Sequence, residues 1–448
     1  MKTKKLLALI SLTISFIESN FAQPNWPLIK SAIAPSVSIP TEFKTPYKQA
    51  LSVGGWEDGV FITRDGLNLY CLYTPVDLFS WQFVGGGDLA NFSPYKRGPL
   101  FGMDLVTNPV SASEWLQSDI LISQRANIAN NFPTWTLSNL ANPVWSEGAP
   151  QINSNTATLT DLFVYASNNV LPVYKTDIIL LKGVNLNPSV QGTALPAPVN
   201  DPNTREDNPH IERLDASNLV LFFDSDDRTG GVGQLDIWYS TSADNGVTWT
   251  TPVQVSTVNT TKGEQQPHLF NDGSAWYLYY TGTNTLTNKP EIYRAKQGTT
   301  GNWNSWTNKE SVIGAGNSFG VGEPTLTQYG DISFVVIYAD TVNGTSTDKY
   351  DADPWFLPKK GSPLSINNTQ NIASLIQIYP NPAQETLHVD LPDNSPKDII
   401  QFYNSVGEVV KEFETAASSD ISISDLPGGL YFLRMKNNFQ WNGKLIKQ

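Results

Sequence analysis

Glu206-Asp207-Asn208-Pro209-His210-Ile211, followed by the apolar run Leu219 to Phe223 and then by Asp236-Ile237, is the stretch whose repetition decides the fold. The same order of acid, short gap, proline and aliphatic residue stands at Glu147-Gly148-Ala149-Pro150-Gln151-Ile152, at Glu264-Gln265-Gln266-Pro267-His268-Leu269 and at Glu323-Pro324-Thr325-Leu326. A weaker copy is Glu57-Asp58-Gly59-Val60-Phe61-Ile62. The prolines fall at 150, 209, 267 and 324, so the period runs 59, 58 and 57 residues. Each copy precedes an apolar run without polar alternation: Leu69 to Tyr73, Leu162 to Tyr165, Leu219 to Phe223, Trp276 to Tyr280 and Phe334 to Tyr338. Such a run is a strand covered on both faces. An acidic residue at Asp119, Asp177, Asp236, Glu291 or Asp353 opens a third strand, and the better copies carry a fourth, as at Trp249 to Val255 and Trp303 to Val312. Four antiparallel strands repeated five times make an all-β, five-bladed β-propeller, in which each twisted sheet buries its faces only against its neighbours. The first unit is long enough to leave room for a sixth blade. The fifth unit lacks a fourth strand, which the extended segment Ser36 to Phe43 is expected to supply.

Ser225-Asp226-Asp227-Arg228-Thr229-Gly230-Gly231 leading to Asp236-Ile237-Trp238-Tyr239-Ser240 resembles the TolB-type, WD-like propeller repeat of exported bacterial proteins. Ser242-Ala243-Asp244-Asn245-Gly246-Val247-Thr248-Trp249 resembles the sialidase-type Asp-box. Physically the box is a turn, with Asp accepting backbone N–H groups, Gly allowing positive φ and Trp anchoring the loop. It supports the propeller far more than it supports sialidase chemistry.

Composition agrees. Charged residues are 16% of the 448, aromatics 11%, with 32 Gly and 30 Pro, a mix of strands and turns rather than helices. The net charge is −13 with no basic cluster beyond the first five residues, which excludes a nucleic-acid binder. The single Cys71 excludes an intramolecular disulfide and a thiolate zinc site; it sits in a strand as an inert core residue. Lys2, Lys4 and Lys5 before the apolar Leu6 to Ile17 read as an export signal over residues 1–22, cleaved after Ala22. No other run reaches the length of a membrane helix.

Residues 359–374 read as a linker between the propeller (23–358) and a C-terminal domain (375–448). That domain carries Tyr379-Pro380-Asn381-Pro382-Ala383, Leu387-His388-Val389, Leu426-Pro427-Gly428-Gly429-Leu430-Tyr431-Phe432-Leu433-Arg434 and the terminal Lys444-Leu445-Ile446-Lys447-Gln448. From about residue 372 it resembles the type A sorting domain of the type IX secretion system of Bacteroidota. The resemblance implies a small Ig-like β-sandwich, export by that machinery, and removal of the domain with release or surface attachment.

In an antiparallel blade the start of the first strand shares a face of the ring with the loop between the second and third strands. In the first unit that loop, Thr74 to Ser118, is long and carries Trp81, Tyr95 and Arg97 among other aromatic and basic residues. Long loops inside compact repeats carry function, and aromatic faces with acids and amides suit carbohydrate. The expected surface therefore includes Trp56, Trp81, Tyr95, Arg97, Arg205, His210, Glu264, His268 and Glu323. Glu147, Glu206, Glu264 and Glu323 recur in register, which favours loop bracing over chemistry. A metal shared by His210 or His268 with Glu206 or Glu264 is weaker than repeat packing. No motif calls for a cofactor, and calcium in the channel is left open.

Two function classes follow. Five-bladed propellers include clans of glycoside hydrolases, and that resemblance implies carboxylates on the inner strands: here Asp58 (or Glu57), Glu147, and Glu206 or Asp207. Sialidase chemistry, which in that family needs three arginines, a Tyr–Glu pair and an Asp, fits less, because no Arg-Ile-Pro segment opens the first blade and there is only one Asp-box. The second class is a non-catalytic propeller that holds glycan, or an adhesion scaffold. The reading taken forward is a secreted or surface-attached propeller that engages extracellular carbohydrate.

Overall fold

The computed structural model describes residues 26–53, 56–74, 118–128, 130–141, 146–154, 159–168, 176–226, 228–340, 349–365, 377–390, 398–404, 407–415, 419–436 and 442–448. The segments expected to hold the export signal and Trp81, Tyr95 and Arg97 lie outside them. The chain divides into two compact units, Met1–Leu364 and Ser365–Gln448.

The first unit opens with a short helix, α1 (Trp26–Ser31), and two short strands, β1 (Ser36–Val37) and β2 (Tyr47–Lys48). Five antiparallel blades follow, the last and the first joined by one parallel pair, Ala352 with Trp56. They are β3 to β6 (Trp56–Ile62, Asn68–Thr74, Asp119–Gln124, Thr136–Leu137), β7 to β10 (Glu147–Ser154, Leu159–Ser167, Asp177–Asn185, Thr193–Ala194) and β11 to β14 (Asp207–Arg213, Leu219–Ser225, Asp236–Ser242, Val253–Gln254). Next come β15 to β18 (Glu264–Asn271, Trp276–Thr283, Pro290–Gln297, Trp306–Gly314) and β19 to β21 (Gly320–Leu326, Ile332–Asp340, Lys349–Leu357). The innermost strands touch in a closed circle, β3 to β7, β11, β15, β19 and back to β3. This is a five-bladed propeller. The second strands are the apolar runs of the repeat; β12, for example, is buried along its whole length, as a strand covered on both faces must be.

Closure differs from expectation. Ser36–Val37 does not complete the fifth blade. It pairs with Ile313 and Gly314 as an extra strand outside β18, and Tyr47–Lys48 pairs with Trp355 and Phe356 as the outer strand of blade five. Two short strands, one on each of two blades, suit a chain that crosses the outside of the ring. The arm is pinned by ion pairs: Lys30 Nζ reaches Asp351 and Asp353 at 2.7 Å each, and Arg294 grips Glu42 through two bonds of 2.8 and 2.7 Å.

Each inner strand breaks register at the same place, between Asp58 and Phe61, Gly148 and Gln151, Asp207 and His210, Gln265 and His268, and Gly322 and Thr325. The first residue skipped has positive φ: Gly59 at 56°, Ala149 at 47°, Asn208 at 48°, Gln266 at 57° and Glu323 at 59°. This bulge explains the repeated proline. Proline has no N–H for a ladder and is tolerated within a sheet only where the ladder is interrupted. Blade one has Val60 at the proline's place and therefore keeps an N–H there. The bulge also corrects one register. Glu323 is the bulge residue itself, and Val321 occupies the place that Glu147, Glu206 and Glu264 hold in other blades.

The acids of the third strands are in register: Asp119, Asp177, Asp236, Glu291 and Asp353 follow the same second-strand position. Lys349–Leu357 begins before Asp353, so there the acid lies within the strand rather than at its start.

In the second unit, one sheet holds β22 (Gln377–Tyr379), β23 (Thr386–Asp390) and β26 (Ser419–Ser422). The other holds β24 (Asp398–Tyr403), β25 (Val409–Thr415), β27 (Gly429–Met435) and β28 (Asn442–Lys447). Leu387, Val389, Ile400, Phe402, Ile421, Leu433 and Leu445 fill the space between them. The first and last motifs of this domain meet: Asn381 donates to the Lys444 carbonyl at 2.6 Å and accepts from the Ile446 N–H at 2.9 Å.

Candidate functional site

The five bulges converge on one end of the channel. They line a narrow cleft, with about 20 Å³ of internal space, together with Gln151, Pro267, Pro324 and Thr325. Four carboxyls gather at this mouth in two pairs. Asp58 on blade one is hydrogen-bonded to Glu323 on the adjacent blade five. Asp207 faces Asp224 across the register of β11 and β12 in blade three, on the far side of the ring. Each pair has an open and a sealed member. Asp58 and Asp207 are half-buried, whereas Glu323 is 6% exposed and Asp224 1%.

Hydrogen bonds tie the pairs into a belt. Trp56 Nε1 donates to Asp58 Oδ2 at 3.0 Å. The Val60 N–H, present because blade one lacks the proline, donates to Glu323 Oε2 at 3.0 Å. Gln266 Nε2 donates to Glu323 Oε1 at 2.8 Å, and the Gln266 backbone N–H donates to Asp224 Oδ2 at 2.8 Å. Asn208 Nδ2 reaches the same Asp224 oxygen at 2.9 Å. Among the described residues Asp224 Oδ1 has no partner.

The protonation of the belt follows from burial and like charge. Burial, then the Asp58 charge, push the Glu323 carboxyl well above the usual range, so Glu323 keeps its proton beside Asp58. Burial, then Asp207, push Asp224 up to about 7. Burial also raises Asp58 and Asp207; Trp56 and Glu323 oppose it at Asp58, and Arg205 at Asp207. Burial and a neighbouring carboxyl thus favour the protonated form most at the sealed members, Glu323 and Asp224. Ala149, Gln266 and Glu323 pay backbone strain on the order of 1 kcal/mol each for left-handed φ, and two of these three belong to the belt.

The other expected residues lie elsewhere. Glu206 is 0% exposed and is held by Arg228 at 2.6 Å and by Thr204, against the loop that leads into its strand. Glu264 accepts from the Thr260 N–H at 2.6 Å and its hydroxyl at 2.7 Å. Glu147 and Glu57 are fully buried, and Glu57 accepts from Trp135 Nε1 at 2.5 Å. Arg205 pairs with Asp226 at 2.7 Å on the exposed rim beside Asp207.

His210 and His268 sit deeper in the channel, rings 4.3 Å apart. His210 bonds Gln151 at 3.0 Å and Glu212 at 3.1 Å. His268 Nε2 accepts from the Leu326 N–H at 3.1 Å, so the ring is neutral with its proton on Nδ1, and burial holds its pKa well below the ordinary value. Among the described residues no three His, Cys, Asp or Glu side chains are placed to hold a metal together. Asp224 was missed by sequence reasoning; the signal was an acid at the end of an otherwise apolar second strand, where other blades have Leu72, Ala166 and Val335.

The turn Ser242–Trp249 lies at the opposite end of its blade. Asp244 accepts from the N–H groups of Val247 at 3.1 Å and Thr248 at 2.8 Å, and from the Thr248 hydroxyl at 2.6 Å. It is part of the scaffold.

Residues 377–448 match the secretion system C-terminal sorting domain. The chain is thus a protein exported to the cell surface or secreted. Among the described residues no helix is long and apolar enough to cross a membrane. A search of curated proteins finds no match. Solved structures that the chain is similar to include the catalytic domain of a GH62 alpha-L-arabinofuranosidase from Coprinopsis cinerea, at 10% identity and a TM-score of 0.44, covering 72% of this chain and 99% of that one. Another is the alpha-L-arabinofuranosidase PaAbf62A from Podospora anserina in complex with cellotriose, at 10% identity and a TM-score of 0.42, covering 72% and 99%. A thermostable family-43 glycoside hydrolase follows at 13% and 0.40, covering 70% and 96%. These likenesses are distant, and the blade pairing itself carries the description of the fold.

Proposed function

We propose that this protein engages extracellular carbohydrate at the acid-lined channel mouth, and that the two carboxyl pairs hydrolyse a glycosidic bond there. The observation that carries the reading is that a half-buried carboxyl meets a sealed one in each of two pairs, Asp58 with Glu323 and Asp207 with Asp224, next to the bulges that line the cleft. Glycoside hydrolysis needs one carboxyl that holds a proton and one that is ionised. In this reading Asp58, kept anionic by the proton on Glu323, is the base or nucleophile. The Asp207–Asp224 pair is the acid: Asp224, pushed up to about 7, holds the proton, and Asp207, the less buried member opposite it, is the end through which the proton reaches the substrate. Glu147, Glu206 and Glu264 brace loops. Trp56 and Gln266 orient the carboxyls, and Arg205 flanks Asp207. Residues 1–22 serve as the export signal, and the type IX secretion machinery reads the C-terminal domain.

The test is release of reducing ends by the secreted chain from a panel of plant, algal and host polysaccharides, beside Asp58→Asn and Asp207→Asn. Release by the wild type and its loss in both variants supports the reading. Retention on a polysaccharide without release makes this a binding propeller. Neither release nor retention overturns the carbohydrate reading for that panel.

A further inference from the structure

One residue touches both carboxyl pairs. Gln266 gives its backbone N–H to Asp224 and its side-chain Nε2 to Glu323, each at 2.8 Å. The direction of its amide is fixed from the other end. Gln266 Oε1 accepts from Thr281 Oγ1 at 2.6 Å and from the Glu323 N–H at 3.2 Å, and an amide oxygen only accepts. The donor nitrogen must therefore face Glu323. At the five equivalent bulge positions, Gly59, Ala149 and Asn208 are small, and only Gln266 and Glu323 reach the next blade. Left-handed φ disfavours a long side chain where glycine or asparagine would relax the backbone. A strained Gln in that place indicates a task for its side chain.

We propose that Gln266 is a positioning residue: its amide, oriented by Thr281, holds the Glu323 carboxyl in the one orientation that directs its proton to Asp58. The inference rests on the mouth being the working site, but it concerns where a proton sits and is testable without turnover. The charged groups around this contact are Asp58 and Glu323 on one side and Asp207, Asp224 and Arg205 on the other.

The test is a ¹³C-carboxyl NMR titration of the full chain labelled at Asp and Glu, with Asp58→Asn and Glu323→Gln assigning the two signals. Gln266→Asn keeps a residue that Asn208 already shows the bulge accepts, but is too short to reach Glu323. It is expected to change the proton affinity of Glu323 at least tenfold, with an opposite change at Asp58. Thr281→Val, which frees the amide, is expected to act in the same direction to a smaller extent, and decides the matter if Gln266→Asn does not fold. Titrations of Glu323 and Asp58 within twofold of wild type in a folded variant overturn the proposal. A shifted titration in a protein that cleaves no polysaccharide leaves the positioning role standing and removes the hydrolase reading alone.

Discussion

Asp207 and Asp224 stand directly opposite each other in the antiparallel register of β11 and β12, the one half-open at the channel mouth and the other sealed. Two carboxylates so placed do not both ionise cheaply, and the sealed one, pushed up to about 7, keeps the proton. If this pair is the acid, cleavage falls as pH rises through about 7, because the proton to be donated is then lost. Asp224→Asn is expected to remove that limb of the pH–rate profile. An unchanged alkaline limb in the variant assigns the acid elsewhere.

Asp58→Asn and Asp207→Asn are each expected to lower the cleavage rate by about a thousandfold or more, by loss of a reacting carboxyl. Retention on the polysaccharide should survive. Glu206→Gln is expected to do the reverse. It leaves Arg228 buried without its counter-charge, at roughly 3 kcal/mol of stability, and spares the mouth. Urea unfolding beside the release assay separates the two effects.

Stability should fall with rising pH. Glu57 is sealed beside Asp353, and burial followed by that charge pushes it up to about 8 from an ordinary value near 4.5. A folded-state pKa above the unfolded one contributes stability that is complete below the unfolded value and is lost as pH rises through the folded one. Melting temperature is thus expected to drop between about pH 5 and pH 8. Glu57→Gln, which keeps an acceptor for Trp135, should flatten the slope. A slope identical in wild type and variant places the titrating group elsewhere.

The N-terminal arm closes the ring through Lys30. Lys30→Met leaves Lys48 and the Ser52 hydroxyl beside Asp353, and removal of one partner from a buried ion cluster costs about 3 kcal/mol or more. Chemical denaturation is expected to show that loss. A change below about 1 kcal/mol shows that the arm closes the ring without this anchor.

Much of this was legible because repeats are written locally. The apolar second strands and the third-strand acids mark each blade and reappear in register, and the acid–proline spacing does so in blades two to four. The bulge was legible in part: prolines inside strands require an interrupted ladder. The shorter Glu323–Pro324 spacing sets Glu323 apart from Glu147, Glu206 and Glu264, a difference that the shared acid and proline mask. Trp81, Tyr95 and Arg97 lie outside the described residues, and their part in the surface stays a proposal.

The sequence by itself determined the all-β class, the order of strands within each blade and the C-terminal sorting domain, since each depends on residue type at short spacing. Only the tertiary structure decided which acids meet. Closing a ring of five blades brings Asp58 beside Glu323, although 265 positions separate them in the chain. Pairing of β11 with β12 sets Asp224 opposite Asp207, and the left-handed turn at Gln266 lets one residue join both pairs, by its backbone N–H and by its side chain. These are facts of register and closure, and they arise where distant strands cross, which no local spacing records.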